Sequence, residues 1–467
     1  MSGTSTFTLA EILAVAKVHP FYSYSQYPPN DEAICEIKQH AALHPAEADL
    51  SRQPLLFKND LYTTTERLIH DTSPHNTYRN NAYTSVTGGG GKSKPLFFAT
   101  DALENRRQRA RFGQFLRNIR LIQHGDWVLT THVGGDLYRS LDLMLEIMEN
   151  AGATSLAAGH LMSATKVVQL MKDFHINVLA GDGSQIIQVV HCISSLDTGR
   201  AEIRLDKIIY TSEALTLVQK SYIRDVLGAV KICSILGSAE AGPYGASSPD
   251  LVGPDEPGTT YTDFIIDTRA TLIEVFPRIP QSNVNGSSGG DCPSPLPPGQ
   301  TGLIVQTCLE RLRNPLLRYV TGDVGSIQPL PSQARATIPE SEWAYKRVLR
   351  LHGRDACSSF SWDAEYIEMD RLDTMLAHAD LGILQWQVIL DTMIPSKEVS
   401  LEIRLLRAWE EGDSTSEEVI VARIRGFFYM HPGNEHRFKV TFVKDRSGFE
   451  LSPTGRKLVK LVDRSAG

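Results

Sequence analysis

Five short segments carry residue types suited to holding phosphates, a metal and a ribose. The first is YTSVTGGGGKSKP at 83–95, where four consecutive glycines lie between hydroxyls and Lys92 and Lys94. Such a run can turn its backbone N–H groups toward phosphate oxygens. It is no Walker A loop, because that motif needs a glycine at position 86, which is Val. The second, SILGSAEAGPYG at 234–245, sets Glu240 among small residues, where a carboxylate can meet Mg²⁺ beside phosphates. In the third, NPLLRYVTGDVGSI at 314–327, Arg318 and Asp323 bracket a turn, and an Asp can accept both hydroxyls of a ribose. LHGRDACS at 351–358 and LSPTGRKLVK at 451–460 contribute Arg354 and the pair Arg456 and Lys457. Taken singly, four of them also have a plain structural reading: a glycine loop, a solvated Glu, an Asp-capped turn, a basic tail.

These segments need a scaffold. Short β-branched runs at 127–133, 176–182, 207–213, 231–237 and 302–308 alternate with helical stretches at 140–152, 164–174 and 185–196. That alternation predicts an α/β fold with a largely parallel central sheet, with ligands beyond the carboxyl ends of its strands. Near the N-terminus, Leu9, Ile12, Leu13 and Ala16 repeat at helical spacing. The Gly-, Ser- and Pro-rich stretch 282–298 reads as a surface loop rather than a domain linker. After Arg354 the pattern becomes strand, strand, helix, strand (385–390, 399–406, 416–428, 436–444), which predicts a small α+β module. The expected units are a large N-terminal α/β domain, 1–352, and a small mobile C-terminal domain, 353–467.

Composition narrows the function classes. In 467 residues, 47 Lys and Arg against 54 Asp and Glu leave a net charge of −7, with no field to hold a nucleic-acid backbone. No apolar run approaches the ~18 residues of a membrane span. Six cysteines stand singly, without disulfide or C-x-x-C spacing, and no basic-apolar leader opens the chain. A cytoplasmic protein is expected. The oligomeric state stays open, a homo-oligomer included.

In order and spacing the segments together resemble the adenylate-forming enzymes, specifically the branch of phenylacetate–coenzyme A ligase. HPFYSYSQY (19–27) and QPLLFKNDL (53–61) look like that branch's N-terminal phrases, and TSVTGGGGKSKP looks like its Thr-Ser-Ser-Gly-Thr-Thr-Gly-Lys-Pro loop. GDWVLTTHVGGDLYRSLDLMLEIMENAGAT (125–154), IIYTSEAL (208–215), GSAEAGP, RYVTGD and HGRD are similar to its later motifs. The resemblance implies two steps: ATP and a small carboxylic acid give an acyl-adenylate and pyrophosphate, then an acceptor displaces AMP. It implies that Thr84, Ser85, Thr87, Gly88, Gly89, Gly90, Gly91 and Lys92 hold the phosphates and that Glu240 ligates Mg²⁺. Ser212, Glu213, Gly237, Ser238, Ala239 and Asp323 would complete the nucleotide site, with Arg354 nearby and Lys457 as the catalytic cation. The acid's pocket would match His132, Gly134, Gly135, Asp136, Ala214, Leu236 and Ala241. The small domain would rotate about Gly353–Asp355 between the two half-reactions.

Departures from the family pattern bear on specificity. The relatives' Tyr-Gly-Tyr-Gly is His132-Val-Gly-Gly-Asp136 here, so His132 and Asp136 either read a polar group on the acid, face solvent, or pair internally. Arg456 stands between Gly455 and Lys457 where relatives carry Gly-Lys, so the two cations compete for the catalytic role. The segment after Arg354 is short and acidic (Asp355, Asp363, Glu365, Glu368), a poor match for coenzyme A phosphates. Coenzyme A remains the leading acceptor, with an amine or a carrier-protein thiol as the alternative. A nucleotide-binding homologue without catalysis is a third reading.

Overall fold

The computed structural model describes residues 6–43, 49–86, 97–135, 137–212, 214–254, 259, 261–277, 294–354, 359–363, 365–396, 398–408, 415–452 and 458–465. The chain opens with α1 (Leu9–Ala16), α2 (Asp31–Leu43) and α3 (Lys58–His70). Thr8 and Glu11 close a capping box on α1, whose Ile12, Leu13, Val15 and Ala16 are buried, as the helical spacing requires. A hairpin of β1 (Ala82–Val86) and β2 (Phe97–Asp101) precedes α4 (Ala102–Asn118). Then come β3 (Trp127–Thr130), the two-residue strands β4 (Gly134–Gly135) and β5 (Tyr138–Arg139), α5 (Ser140–Ala151) and β6 (Thr154–Ala157). They are followed by α6 (Ala164–Asp173), β7 (Val178–Asp182), α7 (Gly183–Ser194), β8 (Lys207–Thr211), α8 (Leu217–Leu227) and β9 (Lys231–Ser238).

From there the chain meanders through β10 (Gly242–Ser247), α9 (Pro249–Val252), β11 (Thr262–Asp267), β12 (Thr271–Phe276), β13 (Gly302–Cys308), β14 (Tyr319–Gln328), α10 (Ser332–Thr337) and β15 (Lys346–Arg354). One sheet collects most of these strands in the order β12-β13-β14-β15-β11-β10-β9-β8-β7-β3-β6. Only the run β6-β3-β7-β8-β9 is parallel; every pair from β9 to β12 is antiparallel. The expectation of a largely parallel sheet is therefore corrected to a mixed one. The physical reason is local: the turn Ala239–Ala241 joins β9 to β10 directly, far too short for the crossover that a parallel neighbour demands. β12 and β13 are antiparallel neighbours, so the Gly- and Ser-rich stretch is the connection of a hairpin; residues 278–293 lie outside the described set.

Alternation along the strands sorts side chains onto two faces. Leu129, Leu179, Ile208 and Ile232 pack under α6, α7 and α8. Val128, Val178, Ile209 and Cys233 pack under α4 and α5. Covered on both sides, β7 is buried at every residue.

After β15 come the hairpin β16 (Ser359–Trp362) and β17 (Glu365–Glu368), α11 (Met369–Leu376), β18 (Ile383–Thr392), β19 (Val399–Arg407), α12 (Glu417–Phe427), β20 (Phe438–Val443) and β21 (Leu461–Asp463). The strand-strand-helix-strand pattern is present, extended by β21 into a four-stranded sheet β20-β19-β18-β21 with its own core. Leu384, Leu406, Phe449 and Leu458 from this small unit join the apolar cluster around α6–α8. The Gln219 amide adds a hydrogen bond to the Leu384 carbonyl. Among the described residues, no helix is long and apolar enough to cross a membrane, and Cys35, Cys192, Cys233 and Cys308 are free thiols.

Candidate functional site

The carboxyl ends of the parallel strands gather polar groups that the core could not otherwise tolerate. His132, two residues beyond β3, is 1% exposed, with Thr130 Oγ1 2.7 Å from Nδ1 and Thr211 Oγ1 2.9 Å from Nε2. Thr211 and Ser212, at the end of β8, both donate to Asp182 Oδ1 at the end of β7, at 3.2 and 2.9 Å. Burial lowers the His132 pKa, partly opposed by the Asp182 charge. Of the three environments open to His132, the observed one is internal pairing. Ser212 has φ 71, a left-handed backbone that costs a non-glycine residue on the order of 1 kcal/mol or more.

The β9–β10 turn holds Glu240 in the protein, 5% exposed. The Tyr62 hydroxyl donates to its Oε1 at 2.6 Å, and the Lys58 ammonium lies 3.7 Å from the same oxygen. Burial alone would raise its pKa, but hydrogen bonds from Tyr62 and Tyr319 and the Lys58 charge outweigh that and lower it. The turn is clamped: Arg311 donates to the Glu240 carbonyl, Gln108 to the Ala241 carbonyl at 2.9 Å, and the Ala241 N–H to Ser238 Oγ at 3.1 Å. A Cβ at Gly237 would sit 2.9 Å from the Gly242 carbonyl oxygen, so these two strand ends approach as only glycine allows. Leu236, Gly237, Ser238 and Ala239 thus lie at one end of this clamp and Ala241 at the other.

Thr84 and Ser85 lie on β1, opposite Ala99 and Phe98, so the glycine run connects the strands of a hairpin. Tyr83 anchors its base. The guanidiniums of Arg109 (4.4 Å) and Arg139 (4.0 Å) both lie against its ring, and Arg109 is in turn held by Asp142 and Glu146. Val86 N–H donates to the Leu137 carbonyl at 3.0 Å, joining this hairpin to β4–β5, which contains Gly134 and Gly135. Thr87, Gly88, Gly89, Gly90, Gly91, Lys92, Asp136, Glu213, Arg456 and Lys457 lie outside the described residues.

Asp323 on β14 pairs in register with Arg354 on β15, and its N–H donates to Thr321 Oγ1 at 3.1 Å. The two named residues are neighbours across the strands; the Arg354 side chain is outside the described set. Arg318 serves elsewhere, fully buried and ion-paired to Glu274. A polar cavity of ≈ 190 Å³ lies against this part of the sheet, lined by Tyr210, Lys220, Ser234, Ser247, Tyr261 and Arg350 among others. In the small unit, the fully buried Gln387 amide donates to the Glu450 and Val459 carbonyls (2.7 and 2.8 Å), on the two shoulders of residues 453–457. Asp363 is already paired with Asn434 and Arg437, which keep its pKa low. It is therefore not a bare negative charge.

Sequence reading missed Tyr62, Asp182, Tyr83 and Arg109. Their partners lie far along the chain (Tyr62 with Glu240, Arg109 with Asp142), and no spacing rule signals such pairs. The donor chemistry at Glu240 fits Mg²⁺, which takes one or two carboxylates and completes its shell with water and phosphate. No cluster of three or more His, Cys, Asp or Glu side chains that could hold a metal occurs among the described residues.

The chain matches no protein-family profile. A 113-residue stretch, 24% of the chain, is 30% identical to indoleacetate–lysine synthetase of Pseudomonas savastanoi and spans 28% of that protein. The whole architecture superposes on 2-hydroxyisobutyryl-CoA ligase in the postadenylation state with 2-HIB-AMP, at TM-score 0.63 and 18% identity, covering 98% of this chain and 91% of that one. The same ligase with 2-HIB-AMP and CoA in the thioesterification state gives 0.56 at 17% identity, covering 98% and 88%. The protein has the two-domain α/β fold of the adenylate-forming enzymes.

Proposed function

We propose that the protein is an ATP-dependent ligase that activates a small carboxylic acid as its acyl-adenylate and passes the acyl group to an acceptor. The observation that carries this reading is Glu240: a buried, ionised carboxylate clamped in the turn after β9, in an adenylate-forming fold. The acid's carboxylate attacks the α-phosphorus of ATP and pyrophosphate leaves. The chain's part is positioning and charge compensation. Thr84 and Ser85, with the glycine run between β1 and β2, hold the leaving phosphates. Glu240 is the residue that would hold Mg²⁺, which when bound neutralises phosphate charge. Asp323 takes the ribose hydroxyls, and Ser212–Ala214 with Leu236–Ala241 forms the wall against nucleotide and acid.

Lys457 on the small unit is the cation that bridges carboxylate and phosphate. A compact ammonium on a flexible stem suits that task better than the planar guanidinium of Arg456. The unit then rotates about Gly353–Asp355 for transfer. The chain superposes better on the postadenylation state than on the thioesterification state, in line with a small unit placed here as for the first half-reaction.

Coenzyme A is the leading acceptor, in line with the solved ligase. An amine is the second reading, favoured by the likeness to indoleacetate–lysine synthetase. The test supplies the preferred acid and ATP with coenzyme A, lysine or other amines separately, follows AMP release and weighs the product. AMP release stimulated by coenzyme A with a thioester mass supports the leading acceptor; release stimulated only by an amine, with an amide mass, replaces it. ATP binding with no acyl-adenylate from any acid favours the non-catalytic homologue.

A further inference from the structure

We infer that His132 is a positioning residue, one link in a directed hydrogen-bond chain that fixes the Ser212 bend at the carboxyl edge of the sheet. The inference rests on reading that edge as the adenylation site. The direction of each bond follows from counting protons. Thr211 and Ser212 each give their hydroxyl proton to Asp182 Oδ1, at 3.2 and 2.9 Å. A hydroxyl has one proton, so Thr211 Oγ1 meets His132 Nε2 as an acceptor, and Nε2 must carry the ring proton. With Nε2 protonated and burial disfavouring the charged ring, Nδ1 is bare and takes the Thr130 hydroxyl proton at 2.7 Å, while Thr130 Oγ1 also accepts the His132 backbone N–H at 3.4 Å. The ring is a neutral imidazole with a fixed tautomer, in keeping with its burial.

The chain Thr130 → His132 → Thr211 → Asp182 thus ties the ends of β3, β8 and β7 together in that order. Asp182 also takes the Ser212 hydroxyl and so anchors a residue whose left-handed backbone would otherwise relax. The consequence runs onward along the chain. Beyond the bend, Ala214, Thr216 and Gln219 line a cleft of ≈ 220 Å³ that Trp386 and Lys460 of the small unit close from the other side. Moving Ser212 therefore shifts both the wall proposed for the nucleotide and the surface that receives the small unit.

The experiment compares, in the full chain, His132→Phe, His132→Gln, Thr211→Val and the double variant His132→Phe/Thr211→Val. The readouts are ATP–pyrophosphate exchange, calorimetric titration with ATP, thermal melting, and ¹⁵N-edited spectra of the parent's imidazoles, with His132 assigned by its loss in the Gln variant. His132→Phe removes both ring bonds and is expected to lower kcat/KM ~10- to 100-fold, the scale of a misplaced site, with much of the change in KM for ATP. His132→Gln retains a side-chain N–H to offer Thr211 and should recover most of that loss. Thr211→Val should resemble His132→Phe, and the double variant should be little worse than either single one, because both break the same chain. In the parent, Nε2 should be protonated and Nδ1 bare. Folded His132→Phe with parental KM and kcat, equal losses in the Phe and Gln variants, additive losses, or an Nδ1-protonated ring each overturn the inference. If the parent forms no acyl-adenylate, the functional reading fails on its own, and the ATP titrations and imidazole spectra still decide the role of His132.

Discussion

The carboxyl edge of the large unit and the small C-terminal unit solve opposite problems. At the edge, side chains are immobilised: Glu240 by Tyr62 and the Arg311 and Gln108 clamps, Ser212 by Asp182, and Tyr83 by two guanidiniums against its ring. The small unit has a complete core of its own, and among the described residues it meets the large one through Leu384, Leu406, Phe449 and Leu458, with Ala408 and Val443 packed alongside them in the α6–α8 cluster, and through the Gln219 hydrogen bond to Leu384. Groups that receive substrate gain from being fixed in advance, since reorganisation then costs nothing at the moment of reaction. The rotation proposed for the small unit requires a contact that it can leave. The contrast predicts that changes at the edge damage the chemistry, whereas changes at the junction alter the balance between half-reactions.

Glu240→Gln should break the comparison hardest. It preserves an acceptor for Tyr62 but removes the charge, so adenylation should fall ~10²- to 10³-fold, the scale set by losing one preorganised electrostatic group, with a small change in melting temperature. Initial rates of exchange and a melting curve check this; comparable losses in both would make Glu240 a structural residue. Next comes Asp323→Ala, expected to weaken ATP binding by ~1.5–3 kcal/mol, the worth of a hydrogen bond to a charged group. Calorimetric titration with ATP reads it directly, and a parental affinity would remove Asp323 from the nucleotide site.

Gly353→Ala addresses the moving side. Gly353 has φ 122, and a Cβ there would meet nothing within 4 Å, so any effect comes from backbone conformation rather than crowding. The expected cost is ~1–3 kcal/mol of strain, seen as slower acyl transfer with adenylation much less affected in single-turnover assays. The smallest effect should come from Gln219→Ala, which loses the hydrogen bond to Leu384 and the one Thr216 N–H makes to its side chain at 2.8 Å. A loss of ~1 kcal/mol in stability, as for ordinary hydrogen bonds, with exchange within about twofold of the parent, keeps the junction a weak contact.

How legible the site was depended on distance along the chain. The helix at Leu9–Ala16, strands β7, β8 and β9, and the small unit's strand-strand-helix-strand order follow from periodicity and capping, which are local. Glu240 and Asp323 stood out because short motifs surround them. The antiparallel half of the sheet was missed because β13, Gly-Leu-Ile-Val-Gln-Thr-Cys, lacks the apolar-polar alternation of a half-exposed strand; the structure buries it at every residue. Tyr62 and Asp182 were invisible because their partners, Glu240 and Ser212, lie 178 and 30 residues away. For His132 the sequence placed the residue at the edge but left its environment open; hydroxyls on two neighbouring strands decide it.

The most direct test of the account is ATP–pyrophosphate exchange by the parent protein across a panel of aryl and alkyl carboxylic acids, with Mg²⁺ and with chelator. The account predicts that label from pyrophosphate enters ATP only when an acid and Mg²⁺ are both present, and that Glu240→Gln suppresses this entry. Folded, ATP-binding protein that exchanges no label with any acid would contradict it.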